Sequence, residues 1–231
     1  MHQAAGVSAP SDPVTGAVHL PVPRSGGLAL ATWTLWHREM IRFFRQRNRV
    51  ASAFITPILF WIMLGFGLDR SFTAPLSPDS AAHPATEIGY LEYFFPGTVV
   101  MILLFTAIFS TISVIEDRRE GFLQGVLVAP IPRLSIVLGK VLGGASVAMF
   151  QAIIFTACWP LVAPWPDLGW MLLAVGIMLI LSVGLTTLGL CLAWPMDSAA
   201  GFHAVMMLLL MPMWFLSGAV FPLASAPRVM Q

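Results

Sequence analysis

Residues 94–115 read FFPGTVVMILLFTAIFSTISVI, and residues 116–140 continue EDRREGFLQGVLVAPIPRLSIVLGK. The first stretch carries no charge and is as long as the ~20 residues a helix needs to cross a hydrocarbon core. It stops at five consecutive charged residues, Glu116, Asp117, Arg118, Arg119 and Glu120. Such a run cannot lie in lipid and must meet water or a partner protein. The pair of stretches therefore reads as a membrane span, an aqueous segment, and the start of the next span.

The rest of the chain agrees. Of 231 residues, 58% are apolar and 10% charged, against roughly a quarter charged in soluble domains, and the mean hydropathy is +0.83. The fold class is an all-α integral membrane protein, and the length suits about five or six spans with short connections and no separate soluble domain. Residues 1–28 hold Pro10, Pro13, Pro21 and Pro23 with Gly6, Gly16, Gly26 and Gly27. They read as a disordered tail, and residues 29–231 as a single transmembrane domain. Cys158 and Cys191 fall inside apolar spans and read as small buried hydrophobes.

Residues 30–49 form an amphipathic helix. At 100° per residue, Leu30, Trp33, Trp36, Met40, Ile41, Phe43 and Phe44 share one face, and Arg38, Arg42, Arg45 and Arg49 the other. Such a helix lies on the membrane surface, and its arginines also flank the next span as topological signals. The spans are expected at 51–68, 94–115, 136–163, 168–193 and 199–219. Between the first two lies a polar loop, 69–92; between the second and third lies the segment 116–133. Lys140, near the start of the third span, is expected to snorkel to the headgroups. Trp159, Trp165 and Trp170 mark an interface around the turn 164–167.

With the amino terminus inside, the inner flanks hold Arg38, Arg42, Arg45, Arg47, Arg49, Arg118, Arg119, Arg133 and Lys140, and the outer segments only Arg70 and Arg228. That imbalance predicts a cytoplasmic amino terminus in the inner (plasma) membrane.

Several chemistries have no residues to carry them. The only Gly-Lys pair, Gly139-Lys140, has Leu134 where a phosphate-cradling loop needs glycine and Val141 where it needs a hydroxyl. No cofactor site is therefore expected in this chain. His2, His19, His37, His83 and His203 are scattered without ligand spacing. Ser217 lacks a nucleophile's companions and reads as a packing or helix-end residue, and no carboxylate lies inside a span to relay protons. Met206, Met207, Met211 and Met213 could carry copper, although adaptable packing also explains them. Gly139-x-x-x-Gly143 is a possible close-packing site for another helix. An enzyme is not indicated.

What remains is a polytopic protein with one charged connection and no energy source of its own. Three motifs resemble the permease subunits of type 2 ABC transporters, the group of drug, polysaccharide and lipo-oligosaccharide exporters. They are Glu116–Leu123 followed by Pro130, Arg133, Gly139 and Lys140; Tyr93-Phe94-Phe95-Pro96-Gly97 at the opening of the second span; and Phe215-Leu216-Ser217-Gly218-Ala219-Val220-Phe221-Pro222. The likeness runs from about Leu28 to the end of the chain. It implies that 116–133 contains a coupling helix seated in a groove of a separate ATPase subunit, with ATP and magnesium bound there. It also implies that the helix at 30–49, with Trp33, Trp36, Arg38, Arg42 and Arg45, is the connecting helix beside that ATPase.

Transmitting motion needs charges that set register and an apolar patch to bury. Glu116, Arg118, Arg119 and Glu120 are candidates for the first, and Phe122, Leu123, Val126 and Leu127, beyond the turn at Gly121, for the second. Phe122 is expected in the partner's groove and not in this protein's own core. The implied assembly is two permeases, as a homodimer or with a related chain, and two ATPase copies in a bilayer, with no nucleic acid. The family usually has six spans, so a sixth is expected beyond Gln231 and the sequence is expected to be a truncated copy. The function expected is ATP-driven export of an amphipathic or lipid-linked substrate; the alternative is a membrane subunit for maturation of a periplasmic copper enzyme.

Overall fold

The computed structural model describes residues 27–68 and 89–220. The expected tail, the loop 69–88, the segment 221–231 and the side chain of Arg49 lie outside the described residues. Among the described residues eight α-helices follow in order: α1 (Leu28–Arg45), α2 (Arg47–Leu68), α3 (Tyr90–Ser110), α4 (Ile112–Arg119), α5 (Phe122–Val128), α6 (Arg133–Thr156), α7 (Leu168–Ala193) and α8 (Ala199–Leu216), with a 3₁₀ turn at Trp159–Leu161. Five stretches of the described residues are long and apolar enough to cross a membrane: Val50–Leu68, Tyr90–Arg119, Arg133–Leu161, Leu168–Ala193 and Ala199–Leu216.

Breaks fall where local chemistry demands them. Gly121 takes a left-handed φ of 77°, which ends α4 at little steric cost and turns the chain into α5. Pro132 caps α6, where its missing N–H is harmless. Ser198 Oγ accepts from the Gly201 N–H at 3.2 Å and caps α8.

Two expected boundaries move. The second span does not stop at Ile115: after a tightened turn at Thr111, helix continues through the charges to Arg119, because each of those charges finds water or a partner at the helix end. The first helix ends at Arg45 rather than residue 49, and after a break at Gln46 the residues from Arg47 onward begin α2.

Helix α3 is the axis of the bundle, packed by α2, α6 and α7. Its apolar end is an aromatic cluster in which Phe95 stacks on Phe155 at 4.7 Å between ring centroids and Trp61 meets both rings edge-on. In lipid, helices associate through close packing and interhelical hydrogen bonds rather than by escaping water, and both occur here. The second and third sequence motifs dock at this end. Tyr90 and Tyr93 hydroxyls donate to the Val220 and Gly218 carbonyls at 3.1 and 2.6 Å, and Trp214 Nε1 donates to Gly97 O at 3.1 Å. A Cβ at Gly97 would stand 2.6 Å from Ala219 O, so glycine is what permits this seat. By contrast α7 leaves most of its apolar surface uncovered.

Helix α1 is not a free surface helix. It crosses α6 where Gly139 and Gly143 remove the obstacle: a Cβ at Gly139 would lie 2.6 Å from Leu35 Cβ, and one at Gly143 2.8 Å from Glu39 Cβ. The close-packing pair in the sequence thus has an intramolecular partner. Ala31, Leu35 and Phe43 are buried on this side, while Leu30, Trp33, Ile41 and Phe44 stay exposed for lipid to cover.

Candidate functional site

The charged end of the bundle is built around Asp117, whose residue is 0% exposed. Arg38 from α1 grips its carboxylate with both Nη atoms, at 3.0 and 2.7 Å, the bidentate geometry in which Arg binds most strongly. Arg42, one turn along α1, donates to Asp117 at 2.9 Å and to Glu116 at 2.7 Å. Lys140 from α6 contacts Asp117 and Glu39 and donates to Ser113 Oγ at 3.1 Å. Hydrogen bonding to Asp117 raises the pKa of Arg38 above its ordinary value, outweighing partial burial. The crossing of α1 over Gly139 and Gly143 is what brings Glu39 within reach of Lys140.

This node corrects two expectations. Lys140 is only 7% exposed; it does not snorkel, because Asp117 and Glu39 supply the counter-charges that headgroups would otherwise provide. Arg38 and Arg42 turn toward Glu116 and Asp117 of their own chain rather than away from it. Sequence reading passed over Asp117 and Glu39 as binding residues. The available signal was scarcity: in a chain with so few charges, Asp117 and Lys140 beside apolar runs call for each other.

Beyond the node, the charged segment divides into inward and outward residues. Arg118 turns along the surface of its own chain, donating to the Trp194 carbonyl at 2.5 Å and lying 3.5 Å from Asp197, so it clamps the turn between α7 and α8. Phe122 lies beneath the Arg38 guanidinium, 3.6 Å from carbon to ring centroid, a cation–π contact. Together with Val126 it packs against a cluster holding Leu35, Val114 and Ile136. Leu123 is 4% exposed within that same cluster. Phe122 and Leu123 thus lie in or against the protein's own core, contrary to the expectation for Phe122, because α5 needs an apolar side to fold back on α4.

Other residues face outward. Leu127 is 47% exposed and Val128 87%, beside exposed Gln124 and Leu134. Arg119 and Glu120 precede them along the chain and Arg133 follows, all three exposed, and among the described residues no ion pair holds them. Arg45 is exposed at the end of α1, whereas Trp36 is tied to α6 by Nε1 donating to Ser146 Oγ at 3.0 Å. Trp33 is exposed and packs on Trp36, their ring centroids 4.6 Å apart.

A cavity of about 570 Å³ opens between α1, α2, α3–α4, α6 and α8. Its lining follows helical stripes: Met101, Phe105, Phe109, Ile112 and Glu116 along α3–α4; Ser52, Thr56 and Phe60 on α2; and His203, Met207 and Met211 on α8. From Met101 to Glu116 the wall extends roughly 22 Å at 1.5 Å per residue. One end holds Glu39, Arg42 and Glu116; hydroxyls of Ser52, Thr56, Thr106 and Ser110 follow; the far end is Phe60, Met101 and Met211. Of the four clustered methionines only Met207 and Met211 line this space. Met206 is buried in the core and Met213 is exposed.

Comparison with known proteins converges on one family. The sequence model of the ABC-2 type transporter matches residues 31–231. The chain is 27% identical over 202 residues to a putative transport permease ycf38 of Cyanophora paradoxa, covering 86% of this chain and 67% of that protein. To the putative transport permease ycf38 of Pyropia yezoensis it is 24% identical over 196 residues, 84% of this chain and 65% of that one. A probable multidrug ABC transporter permease YbhR of Escherichia coli (strain K12) is 28% identical over 145 residues, 62% of this chain and 39% of the relative. The chain spans about two thirds of the ycf38 relatives and less of YbhR. With five membrane-length helices among the described residues and a family match over residues 31–231, the chain belongs to the ABC-2 type transporter family, as a membrane permease subunit.

Proposed function

We propose that this permease exports an amphipathic or lipid-linked substrate, energised by a separate ABC ATPase docked at its charged end. The observation that supports the proposal is the apolar outer face of α5, Leu127 and Val128, flanked along the chain by the exposed charges Arg119, Glu120 and Arg133, which make no ion pair among the described residues. An exposed apolar patch rimmed by charge, on a helix held rigidly from behind, is the composition of a docking surface. We place the charged end on the cytoplasmic side, a reading that the distribution of Arg and Lys supports.

The same surface suits transmission of a push. Phe122 on α5 carries Arg38, Arg38 holds Asp117, and Asp117 holds Arg42 and Lys140. A displacement of α5 by two ATPase subunits closing on ATP would therefore reach α1, α4 and α6 together, as a rigid-body switch. Two permease copies complete the pathway, and the uncovered flanks of α7, α2 and α8 leave ample surface for a second copy and for lipid. ATP and magnesium belong to the partner.

Co-expression with the cognate ABC ATPase tests this reading. Permease-stimulated ATP hydrolysis is expected to fall by about tenfold or more in Leu127→Asp/Val128→Asp, since burying a charge in an apolar interface costs more than 1.4 kcal/mol. Hydrolysis unchanged by that pair would remove the docking assignment. Copper maturation remains the second reading, favoured by the placement of His203, Met207 and Met211 on one wall of the cavity. Loss of copper delivery in Met207→Leu/Met211→Leu, together with no export by the unaltered chain, would select it.

A further inference from the structure

We infer that the cavity selects amphiphiles whose head carries no net charge, holding the head against Glu39, Arg42 and Glu116 and the tail along Phe105, Met101 and Met211. The inference rests on the export reading and deepens it by specifying the substrate's head. By their positions along the lining helices, all three charged side chains lie at one end of the cavity and Phe60, Met101 and Met211 at the other, with the hydroxyls of Ser52, Thr56, Thr106 and Ser110 between them, interleaved with Phe105 and Phe109. A bound amphiphile therefore has one orientation, with its head at the end where α1 crosses α6. The volume of about 570 Å³ lies within the roughly 300–1,000 Å³ typical of small-molecule sites.

The charge preference follows from balance. The three charged residues at the cavity wall belong to a node with Arg38, Lys140 and Asp117, and their ion pairs link all six. Three cations face three anions, so the node is neutral. Asp117 and Lys140 are buried, and Glu39 and Arg42 mostly so; water screens them poorly. A head of unit charge would leave one charge unmatched there. A zwitterionic or uncharged hydrogen-bonding head can exchange contacts with Arg42 and Glu116 without upsetting the sum. Arg42 and Glu116 are thereby specificity-determining residues, because each sits at the wall and each fixes the sign of the balance.

The test is a competition assay on the purified chain in lipid nanodiscs. Radiolabelled dodecylphosphocholine is displaced by dodecylphosphocholine, dodecyl maltoside, dodecyl sulfate or dodecyltrimethylammonium, all below their micellar concentrations. The two net-neutral heads are expected to compete about tenfold better than either charged one, the effect of a single unmatched charge at modest screening. Arg42→Gln leaves the node at −1 and is expected to shift preference toward trimethylammonium. Glu116→Gln leaves it at +1 and is expected to shift preference toward sulfate; Glu116 is one-third exposed, so this variant keeps the fold if the other does not. Displacement that ignores head charge, or variants that move preference in the same direction, would overturn the inference while leaving an amphipathic cargo in place. If the label does not bind at all, the inference and the amphipathic-cargo reading both fall, whereas ATPase docking is decided by its own assay.

Discussion

A carboxylate sealed from water inside an apolar bundle is tolerable only when cations are fixed around it, and Asp117 has Arg38, Arg42 and Lys140. Removing one member of a buried pair strands the other, at a cost of about 3–5 kcal/mol. Asp117→Asn is therefore expected to lower the melting temperature strongly in detergent, since three cations lose their common partner. Lys140→Met is expected to cost less, because Asp117 keeps both arginines and Glu39 keeps Arg38 at 3.7 Å; equal losses in the two variants would contradict the arrangement. The residue scale also shows where sequence reading stops. Charge periodicity put Arg38 and Arg42 on one face of a helix, and that is correct. Which way the face points depended on α6 passing beneath it, and no local pattern encodes that crossing. For the same reason the contact of Arg118 with the α7–α8 turn was not legible in the sequence.

At the scale of elements, the breaks and crossings carry the function. Gly121 at φ 77° sets the angle between α4 and α5, and any side chain there is strained by about 1–2 kcal/mol. Gly121→Ala is expected to destabilise the charged end, whereas Gly125→Ala is expected to be neutral or stabilising by up to ~1 kcal/mol. Nothing lies within 4 Å of a Cβ at Gly125, and alanine is the better helix former. Thermal unfolding distinguishes the pair, and a reversed order would refute the assigned turn. Gly139→Leu should lever α1 off α6, because its side chain would occupy the place of Leu35 Cβ. Spin labels on α1 and α6 would report an increased separation; an unchanged distance would mean that α1 is held otherwise. The spans were legible because uninterrupted apolar length is a strong signal, and four of the five begin or end within a few residues of expectation. The second differed most, since its helix runs on through its own charges to Arg119. Composition marks where lipid ends, not where hydrogen bonding ends.

Across the whole molecule, two features are proposed to divide the work: the charged end as the receiver of a push and the cavity as the receiver of a cargo. They share Glu39, Arg42 and Glu116, so movement of α5 reaches the cavity wall through a single ionic node. The charged segment 116–133 was recognisable as a stretch outside the lipid from its contrast with the apolar chain around it. Its division into an inner half (Asp117, Arg118, Phe122, Leu123) and an outer half (Arg119, Glu120, Leu127, Val128) was not, because both halves are equally mixed in charge and apolarity. The cavity was invisible in the sequence, since apolar residues facing a cavity and those facing lipid are chemically alike. The most direct test of the account is site-specific photo-cross-linking in the membrane with the cognate ABC ATPase present, using a benzophenone side chain at Val128 and, as control, at Leu173. The account predicts a covalent adduct between the ATPase and position 128 and none at position 173; adducts at 128 confined to lipid, with the ATPase captured at 173, would contradict it.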